Sequence, residues 1–179
     1  MTGPDAQLIQ RAVSVRMLVL DVDGVLTDGR LYFDSQGNEL KAFHVSDGLG
    51  IKAVQSCGIS VAIITARRSS MVAARAKQLG IEHVYQGSDD KLSAYLTLLN
   101  QTGLQPGETC YVGDDWIDLP VLMRAGLAVT VPAADPAVRE RAHWVTERGG
   151  GLGAVREVCN LILTAQGHHD RLINEFLDT

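Results

Sequence analysis

The chain alternates short, nearly unbroken apolar runs with longer stretches whose apolar residues recur at helical spacing. Runs at Met17–Leu20, Ile59–Ile64, Glu82–Tyr85, Thr109–Val112, Leu127–Val131 and His143–Thr146 are the predicted strands. Met17-Leu-Val-Leu20 has no polar position at all, which suits a strand buried on both faces of a parallel sheet. Between Asp5 and Val15, the stripe Leu8, Ile9, Ala12 and Val13 predicts a helix packed on the sheet. Further helices are predicted over Asp47–Cys57, closed by Gly58, and over Arg67–Leu79, closed by Gly80. Lys91–Gln101, Ile117–Ala125, a short segment opened by Asp135-Pro136, and Gly153–Gln166 complete the set. Strands alternating with helices in this way imply an α/β fold, a doubly wound parallel sheet. One stretch breaks the rhythm: Arg30–Asp34 and Glu39–His44 flank the turn-forming Ser35-Gln-Gly-Asn38 and predict a β-hairpin after the first strand. A lone two-stranded hairpin is marginal, so its Leu31, Phe33, Leu40 and Phe43 need a surface to lie against, a subunit partner being one candidate.

Composition narrows the class. With 179 residues, 46% hydrophobic and 21% charged, residues 1–179 are expected to form a single domain with a sizeable core. A net charge of −5 provides no basic field for nucleic acid or an acidic membrane surface. No apolar run approaches membrane-spanning length, and no basic segment leads into a long apolar one at the N-terminus, so the cytoplasm is the expected location. Cys57, Cys110 and Cys159 are odd in number and widely spaced, as in reduced proteins.

Candidate chemistry gathers where strands end. The first strand runs into Asp21-Val22-Asp23-Gly24, which sets two carboxylates side by side beyond its carboxyl end, the edge where open α/β sheets bind ligands. Such a pair repels itself unless a cation lies between the acids or one keeps its proton. Mg²⁺, a hard oxygen-seeking ion, would satisfy it. A calcium loop would need an acid or amide at its fifth position and Glu at its twelfth, where Val25 and Tyr32 stand. The second strand tip carries Thr65, and the fourth carries Asp114 and Asp115, with Lys91 opening the helix between them. Singly, Thr65, Asp114 and Asp115 read equally well as helix caps and Lys91 as a surface charge. Together they form the set that phosphoryl transfer requires: Asp21 as nucleophile, Asp23 as acid and base, Mg²⁺ held by Asp21 and Asp114, and Thr65 and Lys91 on the phosphoryl oxygens.

The segments DVDGVLTDG, IITAR, the isolated Lys91 and GDDWIDLP resemble the four motifs of the haloacid dehalogenase superfamily of phosphohydrolases. DVDGVLTDG, the hairpin with FHVSDGLGI, YQGSDDK and GGGLGAVREVCNLIL are similar to the 3-deoxy-D-manno-octulosonate 8-phosphate phosphatases within it. The resemblance runs from about Arg16 to Gln166. It implies a doubly wound, Rossmann-like domain without a cap, and an aspartyl-phosphate intermediate on Asp21. It adds the main-chain carbonyl of Asp23 to the Mg²⁺ ligands Asp21 and Asp114, with Asp115 and Asp118 in support. It also implies a role in lipopolysaccharide biosynthesis and a homotetramer whose hairpins meet centrally and whose C-terminal tails, here about residues 167–179, reach adjacent sites. Ala66 stands where relatives usually have Gly, leaving the Thr65 hydroxyl and Arg67 in place.

For a sugar-acid phosphate substrate, Arg67 and Arg68 are candidate partners of the carboxylate. His44, Ser46 and Asp47, where the hairpin returns, are candidate contacts. Five other readings compete. A phosphatase for a nonulosonate 9-phosphate shares nearly all these motifs. A phosphoryl-accepting receiver domain uses similar residues in another order, with lysine after the single acid and hydroxyl. An inactive binding relative would not need every acid. The G-x-G-x-x-A of Gly149–Ala154 resembles a dinucleotide fingerprint, but too little chain follows to build the rest of that unit. His168-His-Asp170 offers metal-ligating types, against the plainer reading of a solvated tail.

Overall fold

The computed structural model describes residues 5–178. Its centre is a six-stranded, all-parallel sheet built from β1 (Met17–Leu20), β4 (Ser60–Thr65), β5 (His83–Gln86), β6 (Thr109–Val112), β7 (Leu127–Thr130) and β8 (Trp144–Val145). The strand order is β5-β4-β1-β6-β7-β8, so the chain winds outward from β1 in one direction and then in the other. That reversal leaves a crevice beyond the carboxyl ends of β1, β4 and β6, the topological switch point at which such sheets bind ligands.

Helices cover both faces. Because strand side chains alternate, Leu18 and Leu20 of β1 face one layer while Met17 and Val19 face the other. The first layer contains α1 (Ala6–Val13), α2 (Val45–Ser56), α3 (Ser70–Leu79) and α7 (Ala154–Ala165), and its core includes Leu8, Ile51, Val54, Val72, Val158 and Ile162. The second contains α4 (Lys91–Thr102), α5 (Leu119–Leu122) and α6 (Pro136–Arg139), with Tyr95, Leu98, Leu122 and Val138 buried. All four β1 residues are buried, as their unbroken apolar run predicts. No helix among the described residues is long and apolar enough to cross a membrane.

Three elements differ from expectation. The helix predicted over Ile117–Ala125 is instead a 3₁₀ turn, Trp116–Asp118, followed by the single α-helical turn of α5, because Asp115 and Asp118 cap that turn and draw the chain tight against β6. The hairpin pairs only β2 (Tyr32–Phe33) with β3 (Glu39–Leu40). Asp34 closes its turn by accepting from the main-chain N–H groups of Gln36 and Asn38 and from the Asn38 amide. After Leu40 the chain leaves the ladder. The tail, expected to lack local core, forms α8 (His169–Leu177), in which Leu172 packs against the first layer while Ile173, Phe176 and Leu177 stay exposed.

Candidate active site

Register brings the acids together. Pairing of Leu20 with Val112 puts the exits of β1 and β6 side by side, and the Asp21 main-chain N–H donates to the Val112 carbonyl at 3.0 Å. Gly24 then turns with φ +97°, and its bare Cα lies against the Asp114 carboxylate, where any Cβ would overlap Asp114 Oδ2. Asp21, Asp23, Thr65, Ala66, Arg67, Lys91, Asp114, Asp115, Ile117 and Asp118 line one cavity of about 140 Å³. A larger cleft of about 460 Å³ between α1 and Gly107 and Gly126 has no such convergence of acids.

Lys91 is the pivot. Its side chain is 1% exposed, and Nζ donates to Asp21 Oδ1 and to Asp118 Oδ1, each at 2.7 Å. A cation in the first turn of α4 faces the unfavourable end of the helix dipole, so the two carboxylates must outweigh that effect. Burial alone would lower the Lys91 pKa, but Asp21 and Asp118 hold it above its ordinary value. Asp118 is saturated: Oδ1 also accepts from the Tyr111 hydroxyl at 2.6 Å, and Oδ2 accepts from the main-chain N–H groups of Asp114 and Asp115. It therefore orients Lys91 and the β6 exit, and its oxygens are committed.

Asp21, Asp114 and Asp118 present carboxylate oxygens within 4.8 Å of one another. Three buried or half-buried acids thus face one ammonium. Burial, then the charge of Asp118, pushes the Asp21 carboxyl up to about 8, and the same two causes push Asp114 up to about 7. A divalent cation would offset the two uncompensated negative charges, and an all-oxygen donor set suits Mg²⁺. With Asp118 fully hydrogen-bonded, Asp21 and Asp114 are the side chains that fit as ligands.

The remaining candidates divide. Thr65, buried at the end of β4, lines the cavity and does not cap α3, whose N-cap is Ser69. Asp115 does act as a cap, accepting from the Trp116 main-chain N–H at 2.7 Å. Asp47 does not line the cavity: its Oδ1 accepts from the Arg156 main-chain N–H at 2.7 Å and caps the start of α7. His44 caps α2. Gly150 and Gly151 press on the backbone of Gly24, Thr27 and Asp28, which explains the glycine run as close packing beneath the β1 exit. His169 and Asp170 pair with each other at 3.3 Å and join no larger cluster of metal-ligating groups among the described residues.

A second charge cluster was not foreseen. Asp23 Oδ1 accepts from Nζ of Lys41, which leaves β3 and buries its side chain to 2% exposure. Lys41 also pairs with Glu39 at 3.2 Å, and Arg67 Nη2 donates to both Glu39 oxygens at 3.1 Å. Arg67 Nε lies 3.9 Å from Asp23 Oδ2.

Comparison with known proteins agrees with this geometry. The family model described as haloacid dehalogenase-like hydrolase matches residues 47–126. The 3-deoxy-D-manno-octulosonate 8-phosphate phosphatase KdsC of Yersinia pestis is 53% identical over 92% of this chain and 88% of its own length. The chain belongs to that phosphatase family. The Escherichia coli K12 member is 50% identical over 94% of this chain and 90% of its own. Another family member, from Moraxella catarrhalis, was solved in complex with magnesium, phosphate and KDO; it is 45% identical, with TM-score 0.93 over 95% of this chain and 98% of that one. The family's parallel sheet with flanking helices is thus the fold found here.

Proposed function

We propose that this chain is a Mg²⁺-dependent phosphomonoesterase that hydrolyses 3-deoxy-D-manno-octulosonate 8-phosphate to the free sugar acid and inorganic phosphate, a step in lipopolysaccharide biosynthesis. The observation that carries the reading is the Asp21–Lys91–Asp118 ion cluster beside Asp114 at the sheet's switch point, within a chain half identical to phosphatases named for that substrate.

Mg²⁺ held by Asp21, Asp114 and the Asp23 carbonyl would neutralise charge on the phosphoryl oxygens. The chain's own residues do the rest. Lys91 and Thr65 take further phosphoryl oxygens, while Lys91 holds the Asp21 carboxylate in place for in-line attack. An Asp21 oxygen bonds to phosphorus as the bond to the sugar oxygen breaks; that oxygen leaves with the electron pair and takes a proton from Asp23. Water then attacks the aspartyl-phosphate and gives its proton to Asp23, and the phosphorus–Asp21 bond breaks, restoring the carboxylate and releasing phosphate. A loose transition state needs little nucleophilic strength, so a weakly basic carboxylate suffices. Arg67, half exposed at the rim, faces the substrate's carboxylate.

The proposed assembly is a cytoplasmic homotetramer. Leu31, Tyr32, Phe33 and Leu40 form an exposed apolar hairpin face, which supports a subunit partner there. Among the described residues no second domain closes over the site, and a neighbouring subunit would supply that wall.

Phosphate release from a sugar phosphate panel, with Mg²⁺ and with EDTA, tests the reading. Metal-dependent turnover with strong preference for the eight-carbon acid over N-acetylneuraminate 9-phosphate is expected. Preference for the nine-carbon substrate would keep the mechanism and move the pathway, and no release from any phosphate would overturn both.

A further inference from the structure

The cluster on the hairpin has no counterpart in the chemistry derived so far. It lies outside the Asp21–Lys91–Asp118 group, yet it ends on Asp23. Lys41 is an ammonium with almost no solvent contact, and such a charge persists only when partners compensate it. Its partners are one carboxylate of the site, Asp23, and one of the hairpin, Glu39. Glu39 in turn grips Arg67 through both oxygens. Two acids and two bases make this chain of contacts neutral, so it adds no net field to the cavity. What it adds is geometry. Oδ1 of Asp23 is committed to Lys41, while Oδ2 has Arg67 Nε only at 3.9 Å, beyond hydrogen-bond reach.

We propose that Lys41 is a positioning residue for Asp23: it fixes one carboxyl oxygen so that the other is presented to the oxygen of the departing sugar. Glu39 extends the same frame to Arg67, so the β3 arm sets the proton donor and the rim cation together. This assignment rests on the role given above to Asp23. It also gives the hairpin a task within its own subunit, independent of any neighbour.

A leaving group that needs no proton separates positioning from mere structure. First-turnover rates are measured with the Mg²⁺-loaded full-length protein on 3-deoxy-D-manno-octulosonate 8-phosphate and on 4-nitrophenyl phosphate, whose phenolate departs unprotonated. Lys41→Met is expected to slow the sugar phosphate by about thirtyfold or more and the nitrophenyl ester by less than about threefold, a proton donor being worth roughly a hundredfold or more when well placed. Lys41→Arg, which restores a donor, is expected to recover part of the sugar phosphate rate. Equal losses on both substrates, or no loss on either, overturn the assignment. Asp23→Asn serves as the reference. If it is impaired while Lys41→Met is not, the Lys41 role fails alone; if it keeps full rate on the sugar phosphate, the reading of Asp23 fails first. Should Lys41→Met not fold, Glu39→Gln, which removes one counter-charge at constant size, is expected to lower the ratio of sugar phosphate to nitrophenyl ester rate by about fivefold. An unchanged ratio overturns the proposal.

Discussion

Two ion clusters meet in one cavity, and they are built on different foundations. Asp21, Lys91, Asp118 and Tyr111 are fixed by the exits of β1 and β6, the 3₁₀ turn that follows β6 and the first turn of α4, around strands buried on both faces. Asp23, Lys41, Glu39 and Arg67 depend on a hairpin of two paired residues per strand, whose outer face is exposed. The first cluster carries excess negative charge and fits a metal. The second is balanced and fits none. On the proposed roles, the contrast assigns charge neutralisation to the rigid floor of the site and proton placement to a lighter arm.

The floor cluster should fail hardest when changed. Asp21→Asn would remove the oxygen proposed to attack, and kcat should fall at least about a thousandfold with circular dichroism unchanged. Residual activity near a tenth of the original rate would show that Asp21 is not the nucleophile.

Asp118→Ala should damage folding as well as activity. It leaves the Tyr111 hydroxyl and two main-chain N–H groups without their acceptor and Lys91 with Asp21 alone, and losing a partner of a buried ion pair costs about 3–5 kcal/mol. Urea denaturation would measure this, and a loss below about 1 kcal/mol would mean that Asp118 is not the organiser of the floor.

Metal and pH sharpen the comparison next. Burial raises the Asp21 and Asp114 carboxyls to about 8 and about 7, so in metal-free protein the folded state binds protons that the unfolded state has released. That stabilisation is complete below the ordinary carboxylate pKa and is lost as pH rises through about 7 and 8. In EDTA, Tm should therefore fall by several degrees between pH 6 and 8.5, roughly 2–4 °C per kcal/mol for a chain of this size. Saturating Mg²⁺ should flatten that slope. An equal slope with and without metal would remove these carboxylates from the ligand set.

The arm should respond most gently. Gly37 holds φ +84° with open space around its Cα, so Gly37→Ala strains only the turn, by about 1 kcal/mol. Sugar phosphate turnover should drop by less than about threefold and Tm by less than about 3 °C. A collapse in Tm would show that the hairpin is part of the core rather than an arm on it.

Much of the floor was legible in the sequence because it follows from periodicity. The apolar run before Asp21-Val-Asp23 places the acids at a strand tip, and Lys91 stood out as the basic residue opening the helix between two further tips. The arm was harder. Lys41 is an ordinary polar residue in a hairpin, and its partner Asp23 lies 18 residues earlier, so only tertiary packing reveals the pair. Asp47 misled because it begins where the hairpin returns, whereas its target, the start of α7, lies 109 residues later. The α8 helix did leave a signal: Leu172, Ile173, Phe176 and Leu177 recur at helical spacing and were passed over in a polar tail.

Trapping the covalent intermediate tests the central claim most directly. The protein is quenched during Mg²⁺-supported turnover of the sugar phosphate and reduced with borohydride, which converts an acyl phosphate to an alcohol; peptide mass spectrometry then locates the change. The account predicts homoserine at position 21, dependent on substrate and metal. Steady phosphate release with Asp21 never modified would contradict it.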